Sequence, residues 1–361
     1  MKADLVTLLR CPVTGGSLDL VVSEGRQDEV VTGELITANK SHRYPIQGSI
    51  PRFVPQRNYA ENFGIQWNQF RGTQLDSVSG LPISRDRFYR FSGWSPDQLA
   101  GKLVLDVGCG AGRFAEIALQ AGARVVALDY STAVDACWSN LSTHQGLNVV
   151  QGDVIALPFL IGQFDFVYCF GVLQHTPDPE RAFRSLPPQL RPGGMLAVDI
   201  YPWLLRNLGW SKYWLRPLTK RMPPQTLFSL VKRATGPMLA LSHAVGCVPR
   251  IGRYLRYLVP VVSYEGVYPL SSSQLYEWAI LDTFDMLAPA HDHPKQQKEL
   301  LRWFTEAGLE NCSVERLGFL VGRATRPLGV TGSGKTVKKP AFRKSPRTVE
   351  ATDSLGRTNL G

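Results

Sequence analysis

The sequence has few cysteines and no long apolar run, and these absences narrow the class of protein. Its six cysteines form no C-x-x-C pair, so we expect reduced thiols, with neither a disulfide framework nor a metal cluster. No uninterrupted apolar stretch reaches the roughly 18 residues that indicate a membrane span. The first residues, "MKADLVTLLRCP", do not read as a secretion signal. We therefore expect a cytoplasmic protein that is soluble, or at most peripheral at the inner face of the membrane.

Acidic residues are missing from one long segment. Between Tyr201 and Tyr264 there are ten lysines and arginines, interleaved with Trp and Tyr, but no aspartate or glutamate. Such a composition is typical of a surface anchor at an anionic bilayer. It also suits the phosphates of a nucleic acid, and a charge run can simply be a solvated face. Composition alone leaves these three interpretations open.

Changes of composition along the chain predict four regions. From Lys102 to Ile200, apolar runs alternate with stretches compatible with helices, which indicates βαβ units on a parallel sheet. We therefore predict an α/β fold with a doubly wound, Rossmann-like sheet. The predicted regions are a small β module (1–56), lid or linker helices (57–100), the α/β domain (101–326) with the basic aromatic insert (201–264), and a disordered basic tail (327–361).

The tail contains a candidate phosphate-binding loop. "GVTGSGKT", Gly329 to Thr336, matches the pattern G-x-x-x-x-G-K-[ST]. A working loop of this kind needs a buried strand before the glycines and a helix after the Lys-Thr pair. Here no long apolar strand comes before it, and Pro340 with clustered charge opposes a helix after it. We therefore predict no nucleoside triphosphate at this site.

A second glycine loop has the right surroundings. In "VLDVGCGAGRF" an apolar strand leads through Asp106 to Gly108 and Gly110, and a plausible helix follows. Asp129 ends the next strand, where an acidic side chain can take both ribose hydroxyls of a nucleoside. Asp153 follows the third apolar run. These residues fall at one edge of the sheet, which is where open α/β sheets bind ligands.

These motifs resemble the class I S-adenosylmethionine-dependent methyltransferases of the small-molecule, type 11 kind, most closely over residues 100 to 200. The resemblance implies a seven-stranded, mostly parallel sheet and S-adenosylmethionine as cofactor. An NAD enzyme also carries a glycine loop, but it has no counterpart of the Asp153 step or of "RPGG". By this resemblance the cofactor-binding residues would be Asp106, Gly108, Cys109, Gly110, Asp129, Tyr130, Asp153, Val154 and Phe170.

The segment after the fourth predicted strand bears on the acceptor. It reads "FGVLQHTPDP", without the Asn/Asp-Pro-Pro-aromatic or Pro-Cys motifs of enzymes that methylate nucleobases. It resembles instead the small-molecule and lipid-quinone type, in which His175 would be the catalytic general base, unless it caps the next helix or shapes the loop. We expect O-methylation of a hydroxyl on a sugar, glycolipid or related molecule. The alternatives are an inactive binding protein that acts through the basic insert, and a nucleic-acid-associated methyltransferase, although a nucleic acid partner is not favoured.

Two further segments resemble parts of bacterial methyltransferases. "NYAENFGIQWNQF" and the region around "APAHDHP" resemble segments that cover the cofactor and face the acceptor, unless they are ordinary helix packing. The lid and acceptor candidates are Tyr59, Phe63, Gln66, Trp67 and His291. The first 56 residues resemble a zinc ribbon, but Cys11 stands without its partner cysteines, and the histidines beside Asp292 lack a third ligand. We therefore predict no metal.

Overall fold

The structure of this protein is a computed structural model that describes residues 1–26, 29–55, 58–204 and 211–329. Apart from Gly329, the candidate phosphate loop lies outside the described residues, and so does nearly all of the predicted basic tail. The predictions made for these two segments therefore stay predictions.

A small antiparallel sheet forms the N-terminal part of the chain. Its four strands follow one another in chain order and are β1 (Leu18–Arg26), β2 (Glu29–Thr37), β3 (Arg43–Gln47) and β4 (Ile50–Pro51). The burial pattern of β2 and β3 alternates between the two faces of the sheet, as expected for strands with one buried face. Leu35 and Ile46 lie on that buried face.

The large sheet has seven strands in the order β10-β11-β9-β8-β5-β6-β7. They are β5 (Leu103–Val107), β6 (Arg124–Asp129), β7 (Leu147–Gln151), β8 (Phe164–Cys169), β9 (Leu190–Ile200), β10 (Glu310–Leu317) and β11 (Phe319–Thr325). Strands β5 to β9 are parallel, whereas β11 pairs antiparallel with both β9 and β10. Continuous apolar runs suit the parallel strands because helices cover both faces of the sheet. The predicted doubly wound, mostly parallel sheet is confirmed.

The two sheets share a hydrophobic core. Leu5, Leu9 and Leu35 belong to the same buried cluster as Leu128 and Val150 of the large sheet. The chain after β4 also joins the edge strand β7, where the Phe53 amide donates to the Gln151 carbonyl at 2.8 Å. The N-terminal sheet is therefore packed on the edge of the large sheet that ends in β7.

Helices cover the large sheet and the carboxyl ends of its strands. They are α1 (Glu61–Gln69), α2 (Asp76–Ser79), α3 (Ile83–Ser92), α4 (Pro96–Leu99), α5 (Arg113–Gln120), α6 (Ala133–Leu141), α7 (Pro179–Arg184), α8 (Ser211–Thr219), α9 (Pro224–Gly246), α10 (Gly252–Leu255), α11 (Ser272–Leu287) and α12 (Gln297–Glu306). Helices α9 and α11 pack through a buried cluster that includes Leu227, Val231 and Phe284. Among the described residues, none of these helices has the length and apolarity needed to cross a bilayer.

Candidate functional site

A cavity of about 1220 Å³ lies over the carboxyl ends of β5, β6 and β8. Its wall contains the lid candidates Tyr59, Phe63, Gln66 and Trp67, and it also contains His175. The cofactor candidates on the wall are Gly108, Cys109, Gly110, Asp129, Tyr130, Val154 and Phe170. Residues predicted from distant parts of the sequence therefore surround one space.

Three predicted residues are not on this wall. Asp106 is fully buried within β5, and its Oδ2 atom has no hydrogen-bond partner among the described residues. Asp153 uses its carboxylate to accept a 2.8 Å hydrogen bond from the amide of Ile155. The His291 ring packs edge-on against Tyr59, with the ring centroids 5.4 Å apart. The side chains of these three residues are therefore not part of the cavity wall, and the roles expected for them from the sequence stay predictions.

The glycine loop after β5 is held in shape by its own backbone. The amides of Gly108 and Cys109 both donate to the carbonyl of Leu128, at 2.6 and 3.0 Å. Gly108 has a φ of +82°, and a Cβ atom there would lie 2.1 Å from Cγ2 of Val172. Only glycine fits this position without strain or collision. The loop therefore lies close to β6 and presents a smooth backbone surface to the cavity.

Asp129 ties the glycine loop to the end of β6. Its Oδ2 accepts from the Gly110 amide at 2.9 Å, and its Oδ1 accepts from the amide and the hydroxyl of Ser131 at 2.8 and 2.7 Å. Burial raises the pKa of Asp129, and these hydrogen bonds to the carboxylate offset part of that rise. These contacts fix the carboxylate at the carboxyl end of β6, beside the glycine loop. Its binding of both ribose hydroxyls, expected from the sequence, stays a prediction.

Two tyrosines lie beside Asp129 on the cavity wall. The rings of Tyr59 and Tyr130 stack with their centroids 4.8 Å apart and their planes 28° apart. Val154 lies on the same wall. An aromatic and apolar surface of this kind suits a flat heterocycle, and it adjoins the carboxylate that can accept a sugar hydroxyl. The glycine cradle, Asp129 and these rings together fit S-adenosylmethionine, the cofactor expected from the resemblance.

His175 lines the same cavity, and its surroundings define its protonation. Its Nδ1 atom is 3.1 Å from the main-chain oxygen of His291. Since a carbonyl oxygen only accepts, Nδ1 carries the hydrogen and the neutral ring has its lone pair on Nε2. Burial lowers the pKa of His175 below 6.5, against the opposing charges of Asp285 and Asp292. The ring is therefore neutral at neutral pH, as a general base must be.

The alternative role for His175, as a helix cap, does not match the structure. Helix α7 is capped by Asp178, whose side chain accepts from the amide of Arg181 at 3.1 Å. The His175 ring instead packs between Phe63 and Tyr201, with centroid distances of 5.3 and 5.5 Å. His175 belongs to the loop that follows β8, and its contact with His291 joins this loop to the segment around Asp292.

A buried ion cluster holds the segment that contacts His175. Asp292 pairs with Arg216 and lies 3.6 Å from Nζ of Lys212, and all three side chains are at least nine-tenths buried. Arg216 also donates to the carbonyls of Pro289 and His291, at 2.8 and 3.3 Å. Helix α8 of the basic insert is thereby fixed to the segment that orients His175. The sequence showed that Asp292 lies between two histidines. It did not show that Asp292 pairs with Lys212 and Arg216, because these residues are far away in the chain.

Sequence reasoning missed two carboxylates on α11. Asp282 and Asp285 both line the cavity, and burial raises the pKa of each, that of Asp282 to about 6. The Tyr264 hydroxyl donates to Asp282, and the amide of Gln74 donates to it at 3.4 Å. The available signal was the stretch "LDTFDML", in which two acids interrupt an apolar helix at a spacing that places them on one face.

Two arginines, Arg87 and Arg113, line the cavity together with Asp282 and Asp285. Neither arginine was identified as a candidate from the sequence. Arg113, the first residue of α5, donates to the Ser84 hydroxyl at 2.9 Å and to the Gln74 side chain at 2.8 Å. Burial lowers its pKa to about 10, so it remains charged at neutral pH. Arg87 pairs with the buried Asp199 at 3.0 Å. The two arginines and the two carboxylates of α11 therefore make this part of the cavity wall charged, and such a wall suits a polar acceptor.

The N-terminal sheet offers no assembled metal site. Cys11 is buried, with its sulfur 3.1 Å from the Tyr44 hydroxyl. Across the part of the chain that the structure describes, no three potential ligands among His, Cys, Asp and Glu come together. Cys11 therefore packs inside the small sheet.

Comparison with known proteins gives one family match. The family described as "Methyltransferase domain" matches residues 105–198, which run from β5 almost to the end of β9. Ubiquinone biosynthesis O-methyltransferase of Pseudomonas fluorescens is 38% identical over 101 residues, which are 27% of this chain and 44% of that protein. The enzyme of the same name from Coxiella burnetii is 36% identical over 100 residues, 27% of this chain and 43% of that protein. The match thus spans less than half the length of these relatives.

Solved structures resemble the chain over a larger part of its length but at low identity. A putative S-adenosyl-L-methionine-dependent methyltransferase from Methanococcus maripaludis is 13% identical, with a TM-score of 0.41, over 77% of this chain and 98% of that one. Phosphoethanolamine N-methyltransferase 2 of Haemonchus contortus, solved with S-adenosyl-L-methionine, is 14% identical, with a TM-score of 0.44, over 79% and 62% of the two chains.

Proposed function

We propose that this chain, whose residues 105–198 match the family described as "Methyltransferase domain", is an S-adenosylmethionine-dependent methyltransferase that methylates a hydroxyl group of a sugar, a glycolipid or a related small molecule. One observation carries the proposal. A neutral histidine with its lone pair on Nε2, His175, lines the same cavity as the glycine loop and Asp129. The cavity therefore combines a cofactor cradle with a base for a hydroxyl proton.

The residues have separate roles in this proposal. When bound, S-adenosylmethionine supplies an electrophilic methyl group. Asp129 and the Tyr59–Tyr130 pair would hold the nucleoside, and the loop from Gly108 to Gly110 would lie beside the methionyl group. His175 would accept the acceptor's hydroxyl proton at Nε2 as the oxygen becomes methylated, and the positioning of the two reactants would lower most of the barrier.

The relatives support transfer to oxygen without identifying the acceptor. The two curated relatives are O-methyltransferases by name, and the family match at residues 105–198 contains both Asp129 and His175. The remainder of the cavity wall comes from α1, α3, the basic insert and α11. These segments shape the acceptor side and lie outside the family match at residues 105–198, so the acceptor proposed for this chain is not taken from the relatives.

Calorimetric titration with S-adenosylmethionine tests the cofactor site. We expect the full chain to bind, and we expect Asp129→Ala to lose that binding. Asp19→Ala, which removes an exposed carboxylate of β1, should bind like the wild type. If a folded wild-type protein produces no heat, the cofactor site and the proposed function are both wrong.

Transfer to oxygen requires a second assay. The protein is incubated with S-adenosylmethionine labelled in the methyl group, and with sugar and membrane glycolipid extracts. We expect label in a product whose new bond is an ether, stable to mild base. Label found only in esters or amines would contradict the proposal, as would binding of the cofactor with no transfer to any hydroxyl-bearing fraction.

A further inference from the structure

Helix α8 has an unusual arrangement of its side chains. Lys212 and Arg216 face inward and pair with Asp292, so the charged side of the helix is buried. Trp214 and Leu218 face outward and are 73% and 65% exposed. A helix on the surface of a water-soluble protein presents the reverse pattern, with apolar residues inside and charge outside. The outer face of α8 is therefore built for contact with something other than water.

More apolar side chains extend this exposure along the insert. Nine of the seventeen large apolar side chains that are exposed among the described residues lie in the insert, between Trp203 and Leu258. Three of them, Ile251, Tyr254 and Leu258, are on or beside α10 and are more than half exposed. Scattered single apolar residues are normal on a protein surface, but a concentration of them indicates a binding face. We call the exposed apolar residues of α8 and of 251–258 the insert face.

The charged side chains within the insert are of one sign. The segment from Tyr201 to Tyr264 has ten cations and no acid, and within it Lys220, Arg221, Lys232 and Arg233 are exposed. Cations near an anionic bilayer are attracted by about 1 kcal/mol each. A second copy of the chain would bring two cationic faces together, which opposes self-association through this surface. Leucine and isoleucine among the exposed residues favour an acyl layer over the bases of a nucleic acid.

The insert face adjoins the cavity. Tyr213, next to Trp214, lines the cavity, and so do Tyr254 and Arg256 from the other part of the insert. The same two segments therefore contribute to the exposed apolar surface and to the wall that contains His175. A lipid-borne hydroxyl at the bilayer surface would have a short path to the base.

We propose that the insert face docks on an anionic lipid bilayer through Trp214, Leu218 and the exposed residues of 251–258. The docking surface does not depend on the proposed function, whereas entry of a lipid-borne acceptor from the bilayer rests on it. The protein lies on the bilayer surface, with its apolar side chains in the interfacial layer and its cations beside the headgroups.

Vesicle flotation of the full chain tests this proposal. The probes are phosphatidylcholine vesicles with and without phosphatidylglycerol. We expect binding only when phosphatidylglycerol is present, and we expect added salt to weaken it. The double variant Trp214→Ser/Leu218→Ser should bind at least about tenfold more weakly, because it removes two large apolar side chains from the interface. The variant Lys220→Gln/Arg221→Gln should also bind about tenfold more weakly.

A matched control separates docking from a general loss of surface hydrophobicity. Val78→Ser/Leu301→Ser removes two exposed apolar side chains outside the insert and should bind vesicles like the wild type. If this control weakens vesicle binding as much as Trp214→Ser/Leu218→Ser does, the proposal is overturned. It is also overturned if the folded wild type does not bind vesicles that contain phosphatidylglycerol. Binding to an oligothymidylate in place of vesicles, lost in Trp214→Ser/Leu218→Ser, assigns the face to nucleic acid. A dimer of the wild type that this variant dissociates assigns it to a second copy.

The cofactor titration shows whether a failure belongs to docking or to the proposed function. Each variant is first titrated with S-adenosylhomocysteine, which confirms that the fold and the cofactor site are intact. Cofactor binding without vesicle binding overturns the docking proposal alone. Vesicle binding without cofactor binding supports docking and overturns the proposed methyl transfer.

Discussion

The Nδ1 atom of His175 lies 3.1 Å from the main-chain oxygen of His291, a residue 116 positions later in the chain. This contact determines which ring nitrogen carries the lone pair in the neutral ring. The contact also links the orientation of the His175 ring to the segment around Asp292. Arg216 of the basic insert holds that segment in place. A side chain within the family-matching region is thus oriented by the part of the chain outside that region.

His175→Gln tests the general base. We expect turnover of a hydroxyl acceptor found in the screen to fall by about 10² to 10⁴-fold, the usual contribution of a general base, while affinity for S-adenosylmethionine changes little. Wild-type activity should decline as the pH falls through the His175 pKa, which burial places below 6.5, because the imidazolium has no lone pair. The variant should lack this acidic decline.

The control for that prediction is His243→Gln, which changes an exposed histidine of α9. Its turnover and its pH profile should match those of the wild type. If His175→Gln keeps both wild-type turnover and the acidic decline, another group is the base.

Asp292→Asn tests the buried ion cluster. The change leaves the buried Lys212 and Arg216 without their carboxylate, so we expect a loss of about 3 kcal/mol in the free energy of unfolding, measured with urea. The negative charge of Asp292 raises the pKa of His175. Its removal should therefore lower that pKa and move the acidic decline of activity to lower pH.

The pH profile separates this positioning effect from simple destabilisation. Asp19→Asn, an isosteric change at an exposed site of β1, should change neither measurement. A destabilised Asp292→Asn protein with an unmoved acidic decline would show that the cluster stabilises the fold without acting on His175.

The fold was predictable because its signals are local. Apolar strands, the glycines after β5 and the carboxylate at the end of β6 follow one another at short range, and parallel strands bring their carboxyl ends to one edge. Those signals were enough to predict that the glycine loop and Asp129 lie at one edge of the sheet, whereas the place of His175 beside them was an expectation from the resemblance.

The acceptor side was not predictable because it depends on contacts between distant segments. Gln74 and Asp282 meet across 208 positions, and His175 and His291 across 116. No period or spacing in a single sequence records such pairs. The inward direction of Lys212 could not be predicted for the same reason, since its counterion Asp292 lies 80 positions away. The composition of the insert does not indicate which of its cations are buried.

Gly108→Ala tests the cofactor cradle. The new methyl group would lie 2.1 Å from Cγ2 of Val172, on a backbone with a φ of +82°. We expect a loss of about 2 to 4 kcal/mol in the free energy of unfolding, from the collision and the backbone strain together. Affinity for S-adenosylhomocysteine, measured by calorimetry, should fall as the loop moves.

Gly266→Ala is the matched control for strain alone. Gly266 also has a positive φ, +73°, but a Cβ atom there would meet no other atom within 4 Å. We expect a loss of about 1 kcal/mol and unchanged cofactor affinity. Equal effects of the two substitutions would show that the contact with Val172 is unimportant.

Asp106→Asn tests the buried carboxyl group beneath the glycine loop. Burial raises the pKa of Asp106 from 3.8 to about 8 in the folded protein. Between these two values the folded state keeps a proton that the unfolded state has lost, so this group makes the free energy of unfolding fall as the pH rises. The decline starts near the unfolded pKa and is complete above about pH 8. We expect the wild type to lose roughly a few kcal/mol more than the asparagine variant across this range.

Urea unfolding of both proteins at about pH 5 and about pH 8 measures this difference directly. All other titrating groups are shared, so subtracting the two slopes isolates Asp106, whatever the asparagine does to stability at a single pH. Asp19→Asn should leave the slope unchanged, since its carboxylate is exposed. Parallel slopes for the wild type and Asp106→Asn would mean that Asp106 is ionised in the fold, and that the loop carries a second negative charge beside Asp129.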